Sequence, residues 1–194
     1  MEVVLNEVYN FLMNLVNSSS IYGPIFACIL IFIESVLPVL PLFVFITIVF
    51  VSFGYLSGFL ISYILTILGC FFSFYLCRTF LKNFFKKKIR KIDKFDKIMK
   101  RIDKIKLSNL VLLISVPFMP AFLINIASAL SEMNFKKFAI SIIIGKIFIV
   151  FFWGFIGTSF VESLKNPKIM LIILLMVVIS YVLSKLITKK LKVE

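Results

Sequence analysis

Four polar residues stand isolated in or beside long apolar stretches, and their side chains could do chemistry there. Glu34 precedes a pair of prolines, Arg78 ends an apolar run, Asn125 follows a second pair of prolines and Lys146 interrupts a later run. A charged side chain at membrane depth is costly and is a functional candidate by default. Glu34 could carry a proton or contact a cation. Arg78, Lys146 and Asn125 could contact a phosphate-bearing group.

Each of these residues also has a purely structural interpretation. Glu34 could be a hydrogen-bonded carboxylate that caps a half-helix, and Arg78 could extend its side chain to the membrane interface. Lys146 lies about eight residues into its apolar run, and it could still reach the inner interface along a groove of small residues. The sequence alone leaves both interpretations open.

Residue types that are absent or scattered exclude several kinds of chemistry. The chain has no histidine, so sites that depend on a histidine ligand or a Ser-His-Asp triad are excluded. The three cysteines, at positions 28, 70 and 77, have neither metal nor redox spacing. No pair of aspartates lies in or beside an apolar stretch. We therefore predict a protein that is not an enzyme and that has no metal site and no cofactor.

The composition is that of an integral membrane protein. Of 194 residues, 61% are hydrophobic and 16% are charged, and the mean hydropathy is +1.10. Soluble chains are nearer 45–50% apolar and about 25% charged. A soluble core could not bury this much apolar surface, so lipid must solvate much of it. The pI of about 9.8 then indicates loops that face anionic lipid rather than nucleic acid.

The basic residues are concentrated in one polar segment. Lysine and arginine total 22, none precedes Arg78, and thirteen lie in residues 78–106. Isoleucines in this segment recur at helical spacing, which predicts a basic amphipathic helix. By the positive-inside rule, residues 78–106 and the C-terminus are cytoplasmic, and we expect a multi-pass protein of the plasma membrane.

Two apolar stretches are interrupted by paired prolines. Pro38 and Pro41 break residues 21–51, and Pro117 and Pro120 break residues 107–130. Each proline removes a backbone donor and disfavours helix before it. We therefore predict two re-entrant hairpins, with the prolines at their tips, that open toward opposite faces of the membrane. One proline-kinked span over residues 21–51 is the alternative.

The remaining apolar stretches predict about three full spans, at 55–77, 138–160 and 169–187. The predicted fold is an all-α helical bundle with an inverted-repeat-like order. Its predicted parts are an amphipathic N-terminal helix at 1–20, a membrane domain at 21–160, and a C-terminal transmembrane helix with a basic tail at 161–194. Four glycines are predicted to let helices pack closely: Gly54, Gly58, Gly69 and Gly145.

An ordered set of motifs resembles the DedA superfamily, also called the VTT or SNARE-associated Golgi protein family. The motifs are E-x-x-x-P-x-x-P at 34–41, G-x-x-x-G at 54–58, Y-L-C-R at 75–78, P-F-M-P-x-x-x-x-N at 117–125 and G-T at 157–158. The resemblance implies two facing re-entrant hairpins. It also implies movement of lipids between leaflets, either of undecaprenyl phosphate or by phospholipid scrambling.

One departure from that family affects the predicted site. Members usually carry an arginine three residues before the first proline of the second hairpin, and this chain has Ile114 there. Lys146 could replace it by pairing with Glu34 or with a lipid phosphate. We expect a flippase-like or scramblase-like translocase for a phospholipid or polyprenyl phosphate, with proton coupling through Glu34 as one mode. The alternative is a membrane scaffold or assembly protein without transport activity. Self-association into a homo-oligomer stays open.

Overall fold

A computed structural model of the chain describes residues 22–37, 41–81, 102–117, 121–163 and 167–191. Within these ranges the long regular elements are helices, which we number in chain order: α1 Tyr22–Val36, α2 Leu42–Leu76, α3 Leu107–Ser115, α4 Ala121–Leu130, α5 Phe135–Ser163 and α6 Pro167–Leu191. The helix predicted at 1–20, most of the segment 78–106 and the end of the basic tail lie outside the described residues.

Among the described residues, three helices are long and apolar enough to cross a membrane: Leu42–Phe80, Phe135–Phe160 and Lys168–Ile187. This confirms the prediction of an all-helical membrane protein with about three spans. Many apolar side chains on these helices face outward, as expected where lipid rather than water is the solvent. On α6 most of the described side chains are exposed, so this helix lies at the periphery of the bundle.

The other helices are too short to cross a membrane alone. α1 has 15 residues, α3 has nine and α4 has ten. At 1.5 Å per residue even α1 spans only about 22 Å, against a hydrocarbon thickness of about 30 Å. α1 carries Pro24 in its first turn, where a missing N–H is tolerated, and it ends two residues before Pro38.

α2 is two helices joined at Gly54. This residue has φ 79° and ψ 171°, a conformation that only glycine adopts readily. Residues 42–53 pack back against residues 55–76. A methyl group at Gly58 would lie 2.7 Å from the Cα of Phe50. Gly54 was predicted to be a packing residue, but a methyl group there would meet nothing within 4 Å. It serves the turn instead, and Gly58 serves the close contact.

Two buried clusters hold the bundle together. One joins α2, α3, α4 and α5, through residues that include Phe74, Leu113, Ile124 and Phe138. The other joins α1, α2 and α5, through residues that include Ala27, Ile31, Ile46, Val49 and Val150. Because α2 and α5 contribute to both clusters, these two long helices form the scaffold on which the short helices rest.

The short helices form two pairs in corresponding positions. The first helix pair is α1 with residues 42–53, and the second helix pair is α3 with α4. The prolines at 117 and 120 follow those at 38 and 41 by 79 residues, and the second helix of each pair begins at the same offset, at Leu42 and Ala121. A long helix follows each pair. The order of the helices therefore repeats along the chain, and the re-entrant course of each pair stays a prediction. Entry of the pairs from opposite membrane faces stays a prediction.

Candidate functional site

The C-terminal end of α1 rests on the middle of α2. A methyl group at Gly69 would lie 2.5 Å from Ser35 Cβ and 2.9 Å from the carbonyl oxygen of Phe32. Ser35 donates its hydroxyl proton to the Ile31 carbonyl at 2.8 Å, so it needs no polar partner on α2. This contact fixes the neighbouring Glu34, which is half-buried, at the level of Gly69.

Lys146 lies inside the bundle at the middle of α5. Its side chain is only 4% exposed. The Glu34 carboxylate interacts electrostatically with its ammonium group, which partly compensates the two charges. A buried ammonium without such compensation would cost several kcal/mol, an order-of-magnitude figure. Two residues that lie 112 positions apart in the sequence thus come within electrostatic range of each other.

Ile114 lies beside this lysine, at the position where the family resemblance led us to expect an arginine. Ile114 is 1% exposed. A methyl group at Gly145 would lie 2.5 Å from its Cγ2 atom, so α3 and α5 are in close contact there. Lys146 follows directly in sequence. α5 thus carries a cation at the position next to this contact, and replacement of the missing arginine by Lys146 stays a prediction.

Asn125 reaches the same level of α2 from the second helix pair. It is 2% exposed, and its Nδ2 donates a weak hydrogen bond of 3.3 Å to Cys70 Sγ. Its Oδ1 has no hydrogen-bond partner among the described residues. Cys70 follows Gly69, so both helix pairs end against one turn of α2. We name Glu34, Asn125 and Lys146 the polar centre.

Arg78 lies elsewhere, about nine residues further along the helix, or roughly 13 Å. Its Nε donates to the Ala129 carbonyl at 3.1 Å, and its Nη2 donates to those of Ser131 at 3.0 Å and Met133 at 2.8 Å. A longer contact of 3.4 Å reaches the Ser128 carbonyl. The guanidinium also stacks over the Phe74 ring, 4.4 Å from its centroid. These donors are occupied by the end of α4 rather than directed toward a headgroup.

Asp103 is a polar residue that the sequence analysis did not select. Its Oδ1 accepts a hydrogen bond of 2.8 Å from the Glu132 backbone N–H, and its carbonyl accepts one of 3.4 Å from Lys137 Nζ. No sequence signal could have found it, because it is one of several acids in a basic segment. Asn134 had a recognisable signal, since it precedes a helix and caps it through Lys136 N–H at 2.9 Å.

The prolines predicted at the hairpin tips lie at helix ends where the structure describes them. Pro41 is the residue before α2, and its carbonyl accepts from Val44 N–H at 3.1 Å. Pro117 follows Val116, which ends α3 in an extended conformation. Pro38 and Pro120 lie outside the described residues. The breaks therefore fall where proline disfavours helix.

Residues 37–159 match the VTT domain, which covers well over half of the chain. The chain belongs to the VTT domain family. This confirms the DedA resemblance seen in the sequence motifs. Asn125, Lys146 and Arg78 lie inside the matched region, and Glu34 lies just before it.

A protein of Bacillus subtilis is similar to this VTT domain protein over most of its length. It is 28% identical over 183 residues, which cover 94% of this chain and 88% of that protein. Its name, uncharacterized membrane protein YhjE, agrees with a membrane location and specifies no activity. No solved structure matches the chain significantly.

Proposed function

We propose that this VTT domain protein moves a lipid with a phosphate-bearing headgroup between the two leaflets of a membrane. The observation that carries the proposal is the burial of Lys146, within electrostatic range of Glu34, near the level where α1 and α4 meet residues 55–76 of α2. A buried ammonium is poorly explained by folding alone, because replacing a buried ion pair by apolar residues is often neutral or stabilising.

The position of Lys146 along its helix supports a site near the bilayer midplane. The apolar span of α5 runs from Phe135 to Phe160. Lys146 is eleven residues from one end and fourteen from the other, or roughly 16 and 21 Å. A headgroup that crosses the membrane meets its highest energy in this central region, so a cation there lowers the barrier where it is greatest.

The short helices support a polar route across the bundle. We propose that the first helix pair enters and leaves the membrane on the outer face and the second on the cytoplasmic face. Each pair would then bring a helix end, with its unsatisfied backbone groups, toward the midplane. α2 begins after Pro41 without a side-chain cap, and the partial positive charge of a helix N-terminus favours an anion.

The chemistry of the polar centre favours an exchange of partners. Glu34 and Lys146 neutralise each other when the site is empty of lipid. An anionic phosphate that enters takes the place of Glu34 beside Lys146, and Glu34 then takes up a proton, so the site never holds an uncompensated charge. The acyl chains stay in the surrounding lipid. No covalent step is needed, and no enzymatic activity is proposed.

The proposed partners follow from the same charges. Lipids with anionic or phosphate-bearing headgroups fit a single buried cation, and phospholipid and polyprenyl phosphate both carry such a group. We propose a plasma-membrane protein with residues 78–106 and the C-terminus in the cytoplasm, because most basic residues then lie on that side.

Lipid translocation in proteoliposomes tests the proposal. The purified full-length protein is assayed with a fluorescent phospholipid and with a polyprenyl phosphate, beside Lys146→Gln, Glu34→Gln and the double variant. Breaking a fully buried pair costs about 3–5 kcal/mol, and less here because Glu34 is half-exposed. The double variant leaves no unpaired charge, so it should fold better than either single variant and still fail to move lipid. Lys136→Gln, at an exposed lysine on the same helix, is the matched control.

Proton coupling has its own readout in the same assay. If Glu34 takes up a proton when a phosphate binds to Lys146, the translocation rate of the unchanged protein depends on pH. The rate of Glu34→Gln does not. A Glu34→Gln protein with the normal rate over the full pH range would eliminate this role. Folded, inserted protein that moves none of the lipids would favour the scaffold alternative instead.

A further inference from the structure

The two ends of the basic segment 78–106 contact the same short stretch of chain, the end of α4 and the turn after it. From one end, Arg78 donates to the carbonyls of Ser128, Ala129, Ser131 and Met133. From the other end, the Asp103 carboxylate accepts from the Glu132 backbone N–H at 2.8 Å. Residues 128–133 are thus held on both sides by groups distant in sequence.

The arginine satisfies a general need of helix ends. The last carbonyls of a helix have no partner within it, and they carry a partial negative charge. A guanidinium presents several donors in one plane, so one side chain can bond several carbonyls at once. Phe74 lies beneath the guanidinium plane at 4.4 Å and restricts its rotation. The bonds to Ser131 and Met133 extend this hold into the turn that leads to α5.

The contacts that hold the end of α4 also affect the position of Asn125, the candidate functional side chain on this helix. α4 is one uninterrupted helix of ten residues, so its C-terminal end and Asn125 belong to the same regular element. Asn125 lies one turn before the carbonyls that Arg78 binds, and its own attachment to Cys70 is a weak N–H···S contact of 3.3 Å. The contacts at residues 128–133 are therefore the stronger determinant of where Asn125 sits.

We propose that Arg78 and Asp103 form a clasp that positions α4, and with it Asn125, against α2. They are positioning residues and do not contact the transported lipid. The proposal rests on the proposed function only for its effect on lipid movement, since the clasp itself is a property of the fold.

Lysine at position 78 separates this role from phosphate binding. Lys keeps the positive charge, but its single nitrogen cannot reproduce bonds from two guanidinium nitrogens. A phosphate-binding cation would retain much of its affinity after Arg78→Lys. If Arg78 is part of a clasp, Arg78→Lys instead loses hydrogen bonds to the carbonyls of residues 128–133, and the end of α4 is held less firmly. At position 103, Asp103→Ala removes the acceptor, whereas Asp103→Asn keeps an Oδ1 that can accept from the same N–H.

Hydrogen exchange measured by mass spectrometry on the full-length protein in lipid nanodiscs tests the clasp directly. We expect Arg78→Lys to raise exchange in peptides covering residues 121–134 by about tenfold, with those of 55–76 and 135–160 unchanged. Asp103→Ala should give a smaller rise in the same peptides, and Asp103→Asn should match the unchanged protein. Lys104→Gln is the control for loss of a neighbouring exposed charge.

Exchange that rises equally over all helices in Arg78→Lys would overturn the proposal, because it would show a general loss of stability. Unchanged exchange at 121–134 in both Arg78→Lys and Asp103→Ala would overturn it as well. Asp103 lies outside the three apolar spans, so its variants keep the test decisive if Arg78→Lys fails to fold.

A second measurement connects the clasp to transport. In proteoliposomes, Arg78→Lys should lower the maximal rate about tenfold and leave the half-saturating lipid concentration unchanged. Lys146→Gln should raise that concentration. A raised half-saturating concentration in Arg78→Lys would identify Arg78 as a lipid ligand and overturn the proposal. If the unchanged protein moves no lipid, the proposed function fails, and the exchange measurement still decides on the clasp.

Discussion

The first and second helix pairs occupy corresponding places in the chain but are attached in different ways. The first pair contacts residues 55–76 at backbone atoms, at Gly58 and at Gly69, and it is joined to them through the single residue Gly54. Its Thr47 and Phe50 side chains also face Gly157 and Gly154 of α5. The second pair contacts α5 through the Ile114 side chain, and its end is held by hydrogen bonds from Arg78 and Asp103.

The pairs also differ in charge. The first pair carries Glu34, whereas neither α3 nor α4 has an acidic or basic residue. The charged partner that the second pair lacks is Lys146, on the helix that follows it. The pair with the charge is thus the one with close backbone contacts to residues 55–76, and a small displacement there would separate the charges. The neutral pair is fixed by side chains, which mutations can change singly.

The largest expected effect concerns the location of the cation. Lys146→Leu should lower the rate of lipid movement by about 100-fold, a typical loss for one electrostatic contact made at the highest-energy point. Adding Ile114→Arg returns a cation to α3, directly beside Gly145. We expect the double variant to recover to within about tenfold of the unchanged protein, because the position of the charge matters and not the helix that carries it.

Ile114→Arg alone is the control for this exchange. It places two cations beside one carboxylate, so it should lower the melting temperature more than the double variant does. The measurements are the proteoliposome rate and the melting temperature in detergent. If the double variant folds and remains as slow as Lys146→Leu, the two pairs do not share one polar centre. The difference in charge between the pairs would then have no bearing on lipid movement.

A smaller effect concerns packing. Gly69→Ala places a methyl group 2.9 Å from the backbone oxygen of Phe32, which cannot move without α1. Gly145→Ala meets mainly the Ile114 side chain, with the nearest backbone oxygen at 3.3 Å. Both substitutions should destabilise, by about 1–3 kcal/mol.

Double-mutant cycles separate the two cases. Ile114→Gly removes both the Cγ2 and the Cβ atoms that oppose position 145, at 2.5 and 2.8 Å, so it should relieve Gly145→Ala by about 1 kcal/mol of coupling energy. Ser35→Gly should relieve Gly69→Ala less, because the Phe32 oxygen remains. Thermal unfolding of the purified variants gives both couplings. Equal relief at the two sites would mean that the pairs are attached alike.

The order of the helices could be predicted from the sequence because proline acts locally. Paired prolines within apolar runs determine where a helix must end, and the helices begin and end around them as expected. Gly54 shows the limit of that reasoning. A glycine four residues before another is the pattern of a packing interface, and the same residue can instead break the helix. The packing of residues 42–53 against residues 55–76 is what assigns Gly54 to the helix break rather than to the packing interface.

The polar centre was partly predictable for a similar reason. Glu34 and Lys146 are lone charges in apolar sequence, so pairing them was one of few options, and the structure places them within electrostatic range of each other. The partners of Arg78 could not be predicted. They are backbone carbonyls some fifty residues away, and every residue carries such a group, so the pattern of side chains contains no trace of the contact.

The smallest expected effect concerns Asn125, the uncharged polar residue that the second pair contributes to the polar centre. Asn125→Ala removes one weak hydrogen bond to Cys70 and a carbonyl oxygen that has no partner among the described residues. The free energy of unfolding should therefore change by no more than about 1 kcal/mol. If the amide contacts the headgroup as it passes, the rate of lipid movement should fall about fivefold to tenfold, in line with one neutral hydrogen bond.

Leu123→Ala, at an exposed position of the same helix, is the matched control and should leave the rate unchanged. Asn125→Ala should lower the rate less than Glu34→Gln does, because the first pair supplies a charge and the second only a dipole. Strong destabilisation of Asn125→Ala with an unchanged rate would contradict this, since it would assign the amide to the fold. The second helix pair would then only shape the polar centre, and the chemistry of that centre would come from Glu34 and Lys146.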